Sequence, residues 1–331
     1  MERPLECKIL LEILGEALAC HDTCSAMYTP SYKDASILKG CLIAHVALTL
    51  IEMQRTAFCF KKPLYKIFTT SKIGKNIGQT KNDFWNVLLS TSFLHDIGKF
   101  TDQYISCTHP FKACNLCEKP MNRHISAEKH ARHHQVSAII ARKTLRKILD
   151  DDIALKMAYA ILFHHEAIDW KSVEQSALLS SYLQVALPPF SQISYTTTHD
   201  RLSLFEQNLC KILDQIRWKN IIMQLQHSFL IKTLNYTINE LINNQGIALR
   251  LDRELDVEKI KEPKYIMPAL ALYRFIYLTD NRAASARSEY WFKLIKQINW
   301  SELDNTAQQI QYYLTRRYYY IGLSAIPEEL F

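Results

Sequence analysis

Apolar positions recur along this chain at the three-and-four spacing of helices rather than in strict alternation. Over residues 1–20, Ile9, Leu10, Ile13, Leu14, Ala17 and Leu18 share one face. Residues 36–53 carry the run Cys41-Leu42-Ile43-Ala44-His45-Val46-Ala47-Leu48. Asn82 or Asp83 can cap a helix running through Trp85 and Leu89 to His95. Further helices are predicted from Ser126 to about Leu149, from the Asp150-Asp151-Asp152 cap through Phe163, over 202–218 and 219–243, and over 268–288 and 289–321. Between them, residues 21–35 read as turns, 101–125 as irregular, 186–200 as a loop, and 246–266 as a charged, partly extended linker. The pattern predicts an all-α protein, with residues 1–331 as a single domain and no internal repeat.

Composition supports the helical class. Seven glycines and ten prolines in 331 residues are few for a loop-rich or all-β protein. No apolar run is long enough to span a bilayer, and the N-terminus lacks the basic start and apolar core of a signal peptide. The expectation is a soluble cytoplasmic protein with no membrane association. A net charge of +7 is compatible with nucleic acid without being diagnostic of it. The nine cysteines, an odd number mostly scattered in apolar segments, read as reduced thiols.

Candidate chemistry stands out against this apolar background. In Phe93-Leu94-His95-Asp96-Ile97-Gly98-Lys99-Phe100 a histidine and a carboxylate lie side by side in a segment that should be buried. A buried carboxylate needs a cation beside it, and mixed imidazole and carboxylate donors suit Mn, Fe, Ni, Zn or, less well, Mg. Four other places put ligand types into apolar helical contexts: His45, His133-His134, His164-His165 and Asp280. Helices that converge on a core can aim such groups at one point. Hydrolysis of a phosphate ester wants this set, with two divalent ions about 4 Å apart and one carboxylate able to touch both.

These segments resemble the HD superfamily of metal-dependent phosphohydrolases. Within it, the resemblance is to the standalone HD nuclease subunit of type I CRISPR interference systems, which lacks the helicase. It is carried by Ala44-His45, His95-Asp96-Ile97-Gly98-Lys99, Arg132-His133-His134-Gln135-Val136-Ser137-Ala138, Ile161-Leu162-Phe163-His164-His165 and Leu278-Thr279-Asp280-Asn281-Arg282-Ala283-Ala284-Ser285, which span residues 45–285. The resemblance implies an HD-domain helical bundle. It implies one metal site of His45, His95, Asp96 and Asp280, and a second of Asp96, His133, His164 and His165, with Asp96 bridging. It also implies that Lys99 faces the scissile phosphate. The activity implied is endo- or exonucleolytic cleavage of single-stranded DNA, or RNA, with divalent ions of the Mn, Mg, Ni or Fe type. The partners implied are a separate helicase and an RNA-guided effector complex; the chain has no phosphate-binding loop of a motor. Two features depart from the pattern. His133-His134 stands where the family often has His-Glu; the spacing to Ser137-Ala138 favours His133, and His134 stays open. The long gap from His165 to Asp280 implies a helical insertion near 186–265, or else a different last aspartate.

Other stretches carry weaker signals. Cys107, His109, Cys114, Cys117 and His124 in the 101–130 insertion can close a structural zinc, or can be reduced thiols in a surface loop. Residues 55–81 hold Lys61, Lys62, Lys66, Lys72 and Lys75 and no acid, which fits either a solvated loop or a single-stranded nucleic-acid path. Two other functions compete. His164-His165-Glu166 is similar to the His-His-Glu of cyclic-dinucleotide phosphodiesterases, but Ala167-Ile168-Asp169-Trp170 replaces the Gly-Tyr-Pro that should follow. A catalytically silent nucleic-acid-binding scaffold is disfavoured by the complete ligand set.

Overall fold

The computed structural model describes Leu42, His45, Val46, Thr49, Leu50, Met53, residues 81–102, Tyr104, and residues 133–164, 192–215 and 224–286. Leu42, His45, Val46, Thr49, Leu50 and Met53 are all helical and buried, at the spacing of one helix face. The elements that follow are α1 (Lys81–Leu94), a 3₁₀ turn (Ile97–Phe100), α2 (His133–Leu145), α3 (Asp151–Phe163), β1 (Gln192–Ile193), α4 (His199–Gln215), α5 (Gln224–Asn243), β2 (Leu249–Arg250), α6 (Leu251–Glu254), a second 3₁₀ turn (Lys259–Lys261) and α7 (Pro263–Ala286). The architecture is a helical bundle. The expected helices over 1–20 and 289–321 lie outside the described residues.

Helix α3 is the axis of the bundle. Ile153 through Phe163 are buried on every side, as their nearly continuous apolar sequence requires. The Asp150 side chain accepts the Asp152 N–H at its start, and Asp151 and Asp152 lie in the first turn, where acids suit the helix dipole. Helices α1, α2 and α7 all pack against it. Three basic residues at the end of α2 and just beyond it are held by partners, although Lys147 and Arg146 stay exposed. Arg142 donates to the Asp151 carboxylate (3.0 Å) and the Glu254 carbonyl (2.5 Å), Lys143 pairs with Glu254 (3.2 Å), and Lys147 pairs with Glu240.

Two stretches are more ordered than their composition predicts. In the expected loop at 186–200, Gln192–Ile193 pairs antiparallel with Leu249–Arg250, Ile193 lying opposite Leu249. The expected linker at 246–266 contains β2, α6, a 3₁₀ turn and the start of α7. Leu249, Leu251, Leu255 and Ile260 are buried, and these few apolar anchors hold the charged segment on the core. Helix α7 also begins before Pro268. The lost N–H is tolerated because burial of Tyr265 and Ile266 fixes the preceding turn.

The segment 195–205 braces the 3₁₀ turn after α1. Asp102 N–H donates to the Thr196 carbonyl (2.8 Å), and Thr197 Oγ1 donates to the Phe100 carbonyl (3.1 Å). Arg201 Nη1 reaches the same carbonyl (3.4 Å) and Asp102 Oδ1 (2.5 Å). The Phe205 ring meets Phe100 edge-on at 4.2 Å and stacks near Phe93 at 6.4 Å. This part of the chain therefore belongs to the same core as the His95-Asp96 turn.

Phe205→Ala is expected to lower unfolding free energy by about 3–5 kcal/mol, read by denaturant titration. A loss below about 1 kcal/mol would show that Phe205 does not hold the turn.

Candidate metal centre

Four separate elements bring their ligand residues to one point. The helix face of Leu42, His45, Val46, Thr49, Leu50 and Met53 supplies His45. The turn that ends α1 supplies His95 and Asp96, the first residue of α2 is His133, and the residue capping the end of α3 is His164. Helix α7 supplies Asp280 from its penultimate turn. Each is the meeting of an apolar helix with its own terminus or buried face, so the ligands are held by the core rather than by loops.

Asp96 is the centre of the arrangement and is 1% exposed. Its Oδ2 faces His45 Nε2 at 2.9 Å and His95 Nε2 at 3.4 Å. Its Oδ1 faces His133 Nε2 and His164 Nε2, each at 3.4 Å. Asp280 Oδ1 completes the first group, 2.9 Å from His45 Nε2 and 3.8 Å from His95 Nε2. Two ligand groups result, His45/His95/Asp96/Asp280 and Asp96/His133/His164, with donor atoms within 4.8 Å of one another in each.

The backbone orients the rings. His95 Nδ1 lies 2.6 Å from the Ser92 carbonyl, and His164 Nδ1 lies 2.6 Å from the Ile161 carbonyl. A carbonyl can only accept, so Nδ1 carries the proton in both rings, and in the neutral ring Nε2 presents a lone pair to the site. His45 and His95 bring their Nε2 atoms to 3.3 Å of each other. Imidazole nitrogens and carboxylate oxygens at such distances are held together by a proton on a ring or by a metal ion. The donor set, neutral imidazoles with two carboxylates, fits a divalent metal.

Electrostatics agree. Burial works against ionised Asp96, but Lys99, His95 and the imidazoles of His133 and His164 outweigh it and hold its carboxyl well below the usual range. Burial likewise opposes ionised Asp280, and the imidazoles of His45 and His95 overcome it to the same effect. Burial disfavours a charged His95, yet Asp96 and Asp280 prevail and raise its pKa. Both carboxylates are thus ionised across the neutral range, and the raised pKa of His95 sets proton and metal in competition for its Nε2.

Gly98 sets the spacing between the two halves. A Cβ at this position would lie 2.2 Å from the His133 carbonyl oxygen and 3.0 Å from the Ser137 nitrogen. The 3₁₀ turn thereby packs directly on the first turn of α2, and Gly98 N–H donates to Ser137 Oγ at 2.8 Å. Sequence spacing marked Gly98 and Ser137 as motif positions but not this contact. Tyr104, also missed, lies edge-on to His133 at 5.0 Å, with Lys99 Nζ 5.8 Å from its ring.

The structure therefore brings together His45, His95, Asp96, His133, His164 and Asp280. Of the adjacent pair on α2, His133 belongs to the group with Asp96; the His134 ring packs edge-on to His133 at 5.8 Å. Lys99 is buried and pairs with Asp96 Oδ2 at 2.6 Å. His165, the zinc candidates Cys107, His109, Cys114, Cys117 and His124, and the basic positions Lys61, Lys62, Lys66, Lys72 and Lys75 lie outside the described residues.

Comparison with known families gives one finding: residues 44–226, more than half of the chain, match the model of the family described as Cas3, HD domain. No curated protein and no solved structure matches the chain. The matched span includes His45, His95, Asp96, His133 and His164 and ends before Asp280, whose membership of the site rests on its 2.9 Å approach to His45.

Gly98→Ala is expected to cost about 3 kcal/mol or more, because both atoms it would strike are backbone. A thermal melt matching that of the unaltered protein would contradict the close packing of the turn on α2.

Proposed function

The chain belongs to the Cas3 HD-domain family, and on that premise we propose that it is a nuclease cleaving single-stranded DNA, or RNA, by two-metal phosphodiester hydrolysis. Membership itself implies a metal-dependent hydrolase of the nuclease class, linked to CRISPR. The observation that carries the two-metal reading is the division of Asp96: one oxygen faces His45 and His95, the other His133 and His164.

In this reading His45, His95, Asp96 and Asp280 hold one ion, and Asp96, His133 and His164, joined by His165, hold the other. Bound there, divalent ions supply Lewis-acid activation of the phosphodiester and of the attacking water. The protein's own part is positional. The Ser92 and Ile161 carbonyls fix two ring orientations, the depressed carboxyl pKa values keep Asp96 and Asp280 ionised, and burial removes competing water. Lys99, with its ammonium released from Asp96, would meet a substrate phosphate. A separate helicase and an RNA-guided effector complex would deliver the strand. The basic composition suits a strand-shaped substrate.

The first test offers single-stranded DNA, single-stranded RNA and a panel of nucleotides and cyclic dinucleotides with Mn, Mg, Ni or Fe in turn. Strand cleavage that falls by at least about a hundredfold in Asp96→Ala is expected. Nucleotide hydrolysis without strand cleavage would assign a small-molecule phosphohydrolase instead, and binding without either would assign a scaffold.

Metal content supplies a second prediction. The unaltered protein should bind two equivalents of Mn, His45→Ala should keep about one, and Asp96→Asn should keep neither tightly. Two ions retained by Asp96→Asn, measured by calorimetry and elemental analysis, would contradict the shared ligand.

A further inference from the structure

Lys99 is a buried ammonium at the heart of a site built for cations. It is 4% exposed, stands in the 3₁₀ turn directly after Asp96, and reaches Asp96 Oδ2 at 2.6 Å. That oxygen is the one His45 and His95 face; His133 and His164 face Oδ1. The turn cannot carry Lys99 away as a body, because Gly98 is packed on the backbone of α2 and the Phe100 carbonyl is held by Thr197 and Arg201. Release of Oδ2 therefore falls to the side chain of Lys99.

We infer that Lys99 is a built-in counter-cation that competes with metal for Asp96 Oδ2, so that the two halves of the centre load unequally. This rests on the metal-binding reading above. A divalent ion entering the His45/His95/Asp280 group would share Oδ2 with an ammonium already on it. Two like charges that close repel strongly in a buried site, so the ion and the Lys99–Asp96 pair exclude each other. The Asp96/His133/His164 group uses the opposite oxygen and does not meet Lys99 directly. The second half fills first, and the first half fills as Lys99 lets go. An anion that captures the displaced ammonium, such as a phosphate of the strand, then favours the fully loaded centre. By reciprocity, metal loading favours binding of that anion.

The test is Mn binding by calorimetry to the full chain, the unaltered protein against Lys99→Met, which keeps the length and apolar stem and removes the charge. The weaker of the two binding steps is expected to tighten by about tenfold or more, with the tighter step changed far less. Lys99→Gln is the second variant should the first fold poorly, with the same direction expected, and Lys99→Arg should keep the weak step weak. Addition of a single-stranded phosphorothioate oligonucleotide should tighten the weak step in the unaltered protein and not in Lys99→Met. An unchanged or weakened step in both neutral variants would overturn the competition while leaving the two-metal centre standing. Failure of the unaltered protein to bind Mn at all would overturn both.

Discussion

A carboxylate with almost no exposure, set among four imidazoles, a second carboxylate and an ammonium, is the constraint on which the molecule is organised. Burying the Asp96 charge costs several kcal/mol unless cationic partners surround it. The chain meets that cost from every side. Lys99 and His45 lie against one oxygen, His133 and His164 against the other, and Asp280 closes the His45 side. No single element could do this. The end of α1, the start of α2, the end of α3 and the second half of α7 must all arrive together, and the axial position of α3 in the bundle is what allows it.

Precision comes from backbone rather than from side chains. Two carbonyls at helix ends, those of Ser92 and Ile161, turn His95 and His164 so that Nε2 points inward. The Ile161 carbonyl also accepts the His164 backbone N–H at 3.3 Å, so the end of α3 and the orientation of the His164 ring share one acceptor. The contact of Gly98 with His133 and Ser137 fixes the distance between the two ligand groups. The strap formed by Thr197, Arg201 and Phe205 stops the turn from rotating away. The ligand positions are thereby held by backbone contacts on every side.

Much of this was legible from residue order alone. Histidine and aspartate are conspicuous in apolar helical runs, so His45, His95-Asp96, His133-His134, His164-His165 and Asp280 stand out and fall on different helices. What spacing could not settle was convergence. Asp280 lies more than a hundred residues beyond His164, and nothing local says that α7 returns to α1 and α3. The 246–266 stretch reads as a partly extended linker, which β2 matches, and hides its helical turns because its charges outnumber the few leucines and the isoleucine that anchor it. The role of Gly98 depends on a neighbour 35 residues away, which no local pattern carries. Lys99 illustrates a different limit. Its place in the motif points to a phosphate, whereas the fold sets it on Asp96.

The central claim is that one carboxylate joins two metal sites. Crystals grown with Mn and measured by anomalous scattering test it most directly. Two peaks about 4 Å apart, one beside each oxygen of Asp96, with His45 and Asp280 on one and His133 and His164 on the other, are the predicted result. A single peak, or two peaks that do not share Asp96, would contradict it.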